Sequence, residues 1–184
     1  MSALSPSIHK IQIHCFQKFA LFINDRYIYI ANKKAGELLA YLICAKSVVS
    51  KVKLAENLWP DVSAEKAMNS LYKACQFVKS MDLQGMGLPL EIYRNDLFLD
   101  TDSIYSDTAA FERLYAGSDD IHMCEQAVAL YTGPLFYENC YGWSAIDEAY
   151  YDIRYLSLVE QLIAHYTRAN NPDMVAYYQS KLQM

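Results

Sequence analysis

The fold is decided by the stretch AEKAMNSLYKACQFVKSM, residues 64–81. Its apolar side chains recur every three or four positions, which predicts one amphipathic helix. A shorter predicted helix, residues 51–58, precedes it, and Pro60 follows that helix as a stop signal. Beyond a glycine-containing loop, the segments LEIY and LFLD flank Arg94-Asn95-Asp96 and predict a β-hairpin, the wing at residues 90–100. Helix, turn, longer helix and hairpin in this order indicate a winged helix-turn-helix.

The first 31 residues predict a small antiparallel sheet. Apolar and β-branched residues alternate around Ile8–Ile13, Phe19–Ile23 and Tyr27–Ile30, and Asn24-Asp25 is a turn signal. Three such strands are too few to be stable alone, so they must pack on another element. A helix over residues 33–46 follows. The expected N-caps of the three helices in this half are Asn32, Ser50 and Ser63.

From about Asp102 the sequence predicts helices and shows no strand signals. The predicted helices are residues 105–115, 121–131, 143–169 and 173–182. Helices joined by short loops are typical of an antiparallel, tetratricopeptide-like module. The predicted class is therefore α+β, with a winged helix-turn-helix and its small antiparallel sheet at residues 1–101. An all-α, tetratricopeptide-like module follows at residues 102–184.

The composition is that of an ordinary globular protein rather than a disordered or membrane chain. The 184 residues are 53% hydrophobic and 20% charged, and no apolar run approaches the roughly 18 residues of a membrane span. The N-terminus lacks the pattern of a signal peptide. Five scattered cysteines without a CxxC pair fit a reducing compartment. We therefore expect a cytoplasmic protein with no membrane partner.

Charge is unevenly shared between the two halves. Residues 1–100 carry 12 Lys and Arg against 9 Asp and Glu, a net of +3, whereas residues 101–184 carry 4 against 12, a net of −8. This asymmetry indicates one half that tolerates phosphates and one that repels them. The cationic excess is mild beside the basic stripe of a strong DNA binder, so it supports a domain boundary more than it identifies a ligand.

Several segments resemble, in order along the chain, the antibiotic regulatory protein (SARP) family. They are KKAGELLAYLI, LAENLWPD, AEKAMNSLYKACQFVKS, the wing, Ala110–Leu114, AVALYTGPLF and Trp143. The LWPD at 58–61 and the LYTGPLF at 130–136 are the most specific, and the resemblance covers residues 8 to about 170. It implies an OmpR/PhoB-type winged helix joined to a bacterial transcriptional activator domain of tetratricopeptide-like helices. In that family the module often ends a two-component response regulator; this chain contains no receiver sequence, so we expect a free-standing regulator or a fragment of one.

The helix at residues 64–81 is the candidate recognition helix, and one of its faces is predicted to contact DNA. If Ala67, Leu71, Ala74, Cys75 and Val78 form a buried stripe, the opposite face presents Asn and Gln, which pair with adenine, and Lys, which reaches guanine or phosphate. The wing tip is expected to contact the minor groove or a phosphate. The candidate DNA-binding residues are Asn69, Ser70, Tyr72, Lys73, Gln76, Lys79, Arg94, Lys51 and Lys53, with Lys46, Lys66 and Ser80 nearby. Such a face is also typical of any solvated helix.

Other polar groups lack the spacing of a catalytic, metal or phosphate site. They are His9 with His14 and Cys15, His122, His165, Asp96 with Asp100 and Asp102, and Gly85 with Gly87. Trp59 is expected in the core. We therefore predict no catalytic residue, no metal ion and no cofactor, and an enzyme is not expected. The 11 tyrosines after residue 100 either pack helices or line a surface for a partner, and the sequence leaves both open.

Two functions of different classes follow. The first is a transcriptional regulator that binds double-stranded DNA through residues 64–81 and the wing, while the helical half contacts RNA polymerase or a second protomer in a homodimer. The second is a protein–protein interaction module whose winged helix no longer binds DNA. SARP proteins usually carry Arg-Leu-Arg late in the recognition helix, where this chain has Phe77-Val78-Lys79. The phenylalanine, the overall acidity and the small number of candidate cations favour the second function.

Overall fold

The computed structural model describes residues 11–81, 85 and 87–183, and its fold is of the predicted α+β class. The described residues divide into two compact units. The winged-helix unit comprises residues 11–13 and the described part of 20–106, and the helical unit comprises residues 14–19 and 107–183. The expected domain limits, 1–101 and 102–184, stay predictions; the units add an interleaved segment that the sequence did not indicate. Ile8, His9 and the loop residues 82–84 and 86 lie outside the described residues.

The winged-helix unit has the predicted helices and strands in the predicted order, with two additional short strands, β4 and β7. The helices are α1 (Lys33–Ala45), α2 (Lys51–Leu58) and α3 (Ala64–Ser80). The strands are β1 (Ile11–His14), β2 (Ala20–Ile23), β3 (Arg26–Ile28), β4 (Val49–Ser50), β5 (Leu90–Ile92), β6 (Asp96–Leu99) and β7 (Ile104–Ser106). Helix α2 has the predicted bounds, and α1 and α3 each end one residue earlier than predicted.

The first sheet has the strand order β3-β2-β1-β7. Strands β2 and β3 are antiparallel across the predicted turn, where Asn24 and Asp25 have φ of 48° and 62°, as a tight two-residue hairpin requires. Strand β7 pairs in parallel with β1, Ile11 opposite Ile104. The expectation of a three-stranded antiparallel sheet, with no strand beyond Asp102, is therefore corrected. Strand β7 has only three residues, which is too few for an alternating apolar pattern to be recognised in the sequence.

The predicted wing is confirmed as a hairpin of β5 and β6, and it gains a strand. Leu90 lies opposite Leu99, and β4 adds to the other side of β6 with Val49 opposite Leu97. The sequence indicated only an extended link at residues 47–50. Because β4 leads directly into α2, the wing sheet is joined to the start of the helix-turn-helix.

Helix capping follows the predicted positions but not always the predicted bonds. Asn32 caps α1, its side-chain oxygen accepting from the backbone N–H groups of Lys34 and Ala35 at 3.1 Å each. Ser50 and Ser63 occupy the N-cap positions of α2 and α3, yet neither side chain makes a capping bond. Trp59 is half-buried rather than in the core, with the Lys34 ammonium 5.5 Å from its ring centre.

The helical unit consists mainly of four helices, each packed on the next. They are α4 (Asp107–Ala116), α5 (Ile121–Leu130), α6 (Ala145–Arg168) and α7 (Pro172–Ser180). Tyr151, Tyr155 and Tyr178 are buried between them, whereas Tyr137 and Tyr177 are exposed. Packing therefore explains some of the tyrosines and leaves others on the surface. Among the helices described, none is both long enough and apolar enough to cross a bilayer.

Residues 14–19, the inserted segment, connect β1 to β2 but pack in the helical unit. Phe16 is 3% exposed, and its ring centre lies 5.5 Å from that of Phe111 and 5.4 Å from that of Tyr151. The backbone N–H of Phe136 donates to the carbonyl of Cys15 at 2.9 Å, and that of Gln17 donates to Pro134 at 3.0 Å. The LYTGPLF stretch thus holds this segment by backbone hydrogen bonds.

Gly133 in that stretch lies close to the Gln17 side chain and has a positive φ. A Cβ atom built there would lie 2.0 Å from the Gln17 side-chain oxygen, and its φ is +156°. The Gln17 side chain would have to move to admit a Cβ atom, and the positive φ is strained for any residue other than glycine, so both favour glycine at this position.

A buried carboxylate fixes the same segment from the other side. Asp107, the first residue of α4, is 2% exposed. Its two oxygens accept from the backbone N–H groups of Cys15 (2.8 and 2.9 Å), Phe16 (3.0 Å) and Thr108 (2.7 Å). Buried N–H groups need an acceptor, and this carboxylate satisfies three of them at once.

Candidate nucleic-acid interface

The predicted buried stripe of α3 is confirmed residue by residue. Its five members, Ala67, Leu71, Ala74, Cys75 and Val78, are buried. They recur at helical spacing on one side of the helix and place α3 against α1 and α2. The burial of this side fixes the rotation of the helix, and the opposite side is therefore defined as well.

That opposite side is polar and exposed. Asn69, Tyr72, Lys73 and Gln76 follow one another at spacings of three, one and three residues, which keeps them on one face, and all four are exposed. Tyr72, the aromatic residue of this face, is 44% exposed. Lys79 is exposed one turn further on, and Ser70 is half-buried beside the face. The side chains predicted to contact DNA on α3 are thus together on one accessible surface.

Five exposed cations on α2, α3 and the wing have no ionic partner among the described residues. They are Lys53 on α2, Lys66, Lys73 and Lys79 on α3, and Arg94 on the wing. An ammonium or guanidinium that is not already paired is available to a phosphate without first breaking an ion pair. Glu56, Glu65 and Glu91 are exposed on the same elements, so the surface is only moderately positive.

The wing ends in a short turn that exposes Arg94. The Tyr93 N–H donates to the Asp96 carbonyl at 3.0 Å and closes the hairpin, leaving Arg94 and Asn95 exposed at the tip. The Tyr93 hydroxyl bonds the Glu91 carboxylate, and that bond raises the pKa of the Tyr93 phenol. Glu91 is thereby turned along the strand toward Tyr93.

The Lys51 side chain is buried, so its ammonium is not accessible for a direct contact with a phosphate. Its side chain is on the inner side of α2, and the residue is 5% exposed. The ammonium donates to the carbonyls of Tyr93 (2.5 Å) and Arg94 (3.0 Å), and it lies 5.3 Å from the ring centre of Tyr72. The positive charge of Lys51 is therefore engaged by groups of the protein itself. Sequence reasoning identified Lys51 as a cation of this surface but missed its partners, because the wing carbonyls lie more than 40 residues away.

Two further residues of α3 matter for the site. Burial raises the pKa of the Cys75 thiol to about 11, although the charges of Lys51 and Lys79 act to lower it. Cys75 is therefore a neutral core residue at physiological pH. Phe77, which stands where SARP proteins carry an arginine, is half-buried. Its ring adds apolar surface to the edge of the helix and no charge.

Two of the other polar residues named from the sequence, His14 and His122, lie beside carboxylates. Among the described residues, no group of three His, Cys, Asp or Glu is placed to hold a metal ion. His14 lies 4.0 Å from Asp107, and His122 lies 3.2 Å from Glu125; both are pairs within the helical unit.

The comparisons with known proteins concern the fold. No protein-family model matches this sequence, and no curated protein matches it significantly. A solved structure, "Mycobacterium tuberculosis EmbR in complex with low affinity phosphopeptide", is similar in fold, with a TM-score of 0.57 and 14% sequence identity. The match covers 90% of this chain and 52% of the EmbR chain, so this chain spans about half the length of that protein. The likeness supports the arrangement of a winged-helix region followed by a helical region.

Proposed function

We propose that this protein is a cytoplasmic transcriptional regulator that binds double-stranded DNA. Helix α3 enters the major groove, and the wing at residues 90–100 lies on the backbone. The observation that carries the proposal is the exposed face of Asn69, Tyr72, Lys73 and Gln76, opposite a fully buried stripe, in the same unit as an exposed wing arginine. Asn and Gln supply base contacts, and the lysines and Arg94 supply phosphate contacts.

The number of available cations sets the expected strength and salt dependence of binding. Five unpaired cations allow about five phosphate contacts per chain, and log K then falls with log[salt] with a slope of about −4 to −5. Binding by one chain is thus modest at physiological salt. Two chains on repeated half-sites double the contacts, which is why we include a homodimer in the proposal.

The test is a fluorescence anisotropy titration with labelled duplexes made from genomic fragments, at 50 and 200 mM salt. Lys73→Ala with Arg94→Ala removes one cation from each DNA-contacting element and is expected to weaken binding and to make the salt slope shallower by about 2. The matched control, Arg26→Ala with Lys33→Ala, removes the same charge from exposed positions on β3 and α1.

Each outcome of this titration bears on the proposal. If control and test variants lose affinity equally, binding depends on net charge and not on this face. If the test variant binds like the parent protein, the wrong face has been assigned. No binding at 50 mM salt refutes DNA recognition and favours the protein–protein interaction module, for which Phe77 in place of an arginine is the supporting observation.

The helical unit is proposed to contact a protein, either RNA polymerase or a second protomer. Ile146 and Ile153 on α6 are 83% and 67% exposed, and Tyr150 and Leu156 extend the same side of the helix. Exposed apolar side chains grouped on one helix face are typical of interaction surfaces. Ile146→Glu with Ile153→Glu should convert a dimer to a monomer in sedimentation velocity if the partner is a second protomer. A parent protein that sediments as a monomer at 100 μM would exclude the second protomer.

A further inference from the structure

Three consecutive carbonyls of the wing turn, those of Tyr93, Arg94 and Asn95, accept hydrogen bonds from Lys51. The Lys51 ammonium donates to the carbonyls of Tyr93 and Arg94. The Lys51 backbone N–H donates to the carbonyl of Asn95 at 2.9 Å. One residue at the start of α2 therefore holds three consecutive residues of the turn. Because these carbonyls point inward, the side chain of Arg94 is left exposed at the tip.

The same ammonium also contacts the recognition helix. It lies 5.3 Å from the centre of the Tyr72 ring, within the range in which the negative face of an aromatic ring attracts a cation. Tyr72 belongs to the exposed face of α3, between Asn69 and Lys73. Lys51 is thus in contact with the wing on one side and with the DNA-facing side chains of α3 on the other.

We infer that Lys51 is a positioning residue that fixes the wing turn against the recognition helix and makes their contacts with DNA interdependent. A buried ammonium needs acceptors for its donors, and the turn carbonyls and the Tyr72 ring supply them only in one relative placement of wing and helix. If Tyr72 moves on binding a base or a phosphate, the ammonium and the wing turn move with it. The positioning of the wing turn by Lys51 is independent of the proposed function, whereas the coupling of the DNA contacts rests on it.

The first half is tested without DNA. Amide hydrogen exchange measured by NMR reports the Tyr93 N–H, which closes the hairpin, and the N–H of residue 51. Lys51→Met keeps the length of the side chain and removes its donors, so exchange at both amides should accelerate about tenfold or more, the effect of losing charge-assisted bonds. Lys51→Arg, which can donate to both carbonyls, should restore part of the protection. Lys53→Met, an exposed lysine of the same helix, should change nothing.

A second variant guards against loss of folding in Lys51→Met. Tyr72→Leu removes the aromatic ring from the ammonium and leaves the wing carbonyls bonded. It should accelerate exchange at Tyr93 by a smaller factor than Lys51→Met does. Unchanged exchange at Tyr93 in both variants would overturn the positioning role.

The second half is tested by a mutant cycle in DNA affinity. Tyr72→Leu and Arg94→Ala are measured singly and together, with Lys51 present and in Lys51→Met. With Lys51 present, the combined loss should differ from the product of the single losses by at least threefold, as for residues coupled through a shared partner. In Lys51→Met the losses should multiply. Losses that multiply in both backgrounds overturn the coupling. If DNA does not bind at all, the proposed function fails, while the exchange measurement still decides whether Lys51 positions the wing.

Discussion

Replacement of Asp107 by alanine is expected to destabilise the helical unit strongly. The substitution removes the acceptor of three backbone N–H groups, those of Cys15, Phe16 and Thr108, at distances of 2.7 to 3.0 Å. All three residues are essentially buried, so water cannot replace the carboxylate without opening the unit. The inserted segment then loses its attachment to α4.

The magnitude follows from the number of orphaned donors. A buried N–H left without an acceptor costs about 1–3 kcal/mol, and the three share one site, so their costs are not fully additive. We expect a loss of about 3–6 kcal/mol in the free energy of unfolding of the helical unit. Asp107→Asn keeps one acceptor oxygen and should lose about half as much.

Urea denaturation followed by tryptophan fluorescence measures this loss. The chain has two tryptophans, Trp59 in the winged-helix unit and Trp143 in the helical unit, so Trp59→Phe leaves a reporter of the helical unit alone. Asp119→Ala, at an exposed position of the same unit, is the control and should stay within about 0.5 kcal/mol. A loss below about 1 kcal/mol for Asp107→Ala, at an unchanged denaturant slope, would refute the argument.

Three further predictions concern packing, capping and thiol chemistry. Phe16→Ala should lower the free energy of unfolding by about 3–5 kcal/mol in the same assay, because its ring is enclosed by aromatic neighbours; a smaller loss than 1 kcal/mol would contradict that packing. Asn32→Ala should cost about 1 kcal/mol, whereas Ser63→Ala, which removes no capping bond, should cost almost nothing, and equal costs would contradict the capping geometry. Mass-spectrometric mapping of iodoacetamide labelling at pH 8 should find Cys140, which is exposed, modified well before Cys75, whose pKa is raised to about 11 by burial; the order should disappear in urea.

Local patterns were sufficient for the elements of the interface. The stripe of α3 was predictable because a helix repeats every 3.6 residues, so five apolar positions define one side and, by exclusion, the other. The wing was predictable because two short segments rich in aliphatic and aromatic residues flank a polar turn. Neither prediction depends on residues far away in the sequence, and both agree with the structure.

Contacts between distant residues were not predictable in this way. Strand β7 was missed because three residues carry too little pattern, and it is recognised only by its pairing with β1. Lys51 was assigned to the surface because lysines are usually solvated, and only its proximity to the wing carbonyls shows otherwise.

The sequence by itself determined the class of fold, the helices and the polar face of α3, since each depends on a repeat that neighbouring residues carry. Only the tertiary structure decided that residues 14–19 belong to the helical unit and that Asp107 holds them there, because these partners are more than 90 residues apart. Which donor bonds which distant acceptor depends on how the helices and strands pack together, and the periodicity of neighbouring residues carries no information about that packing.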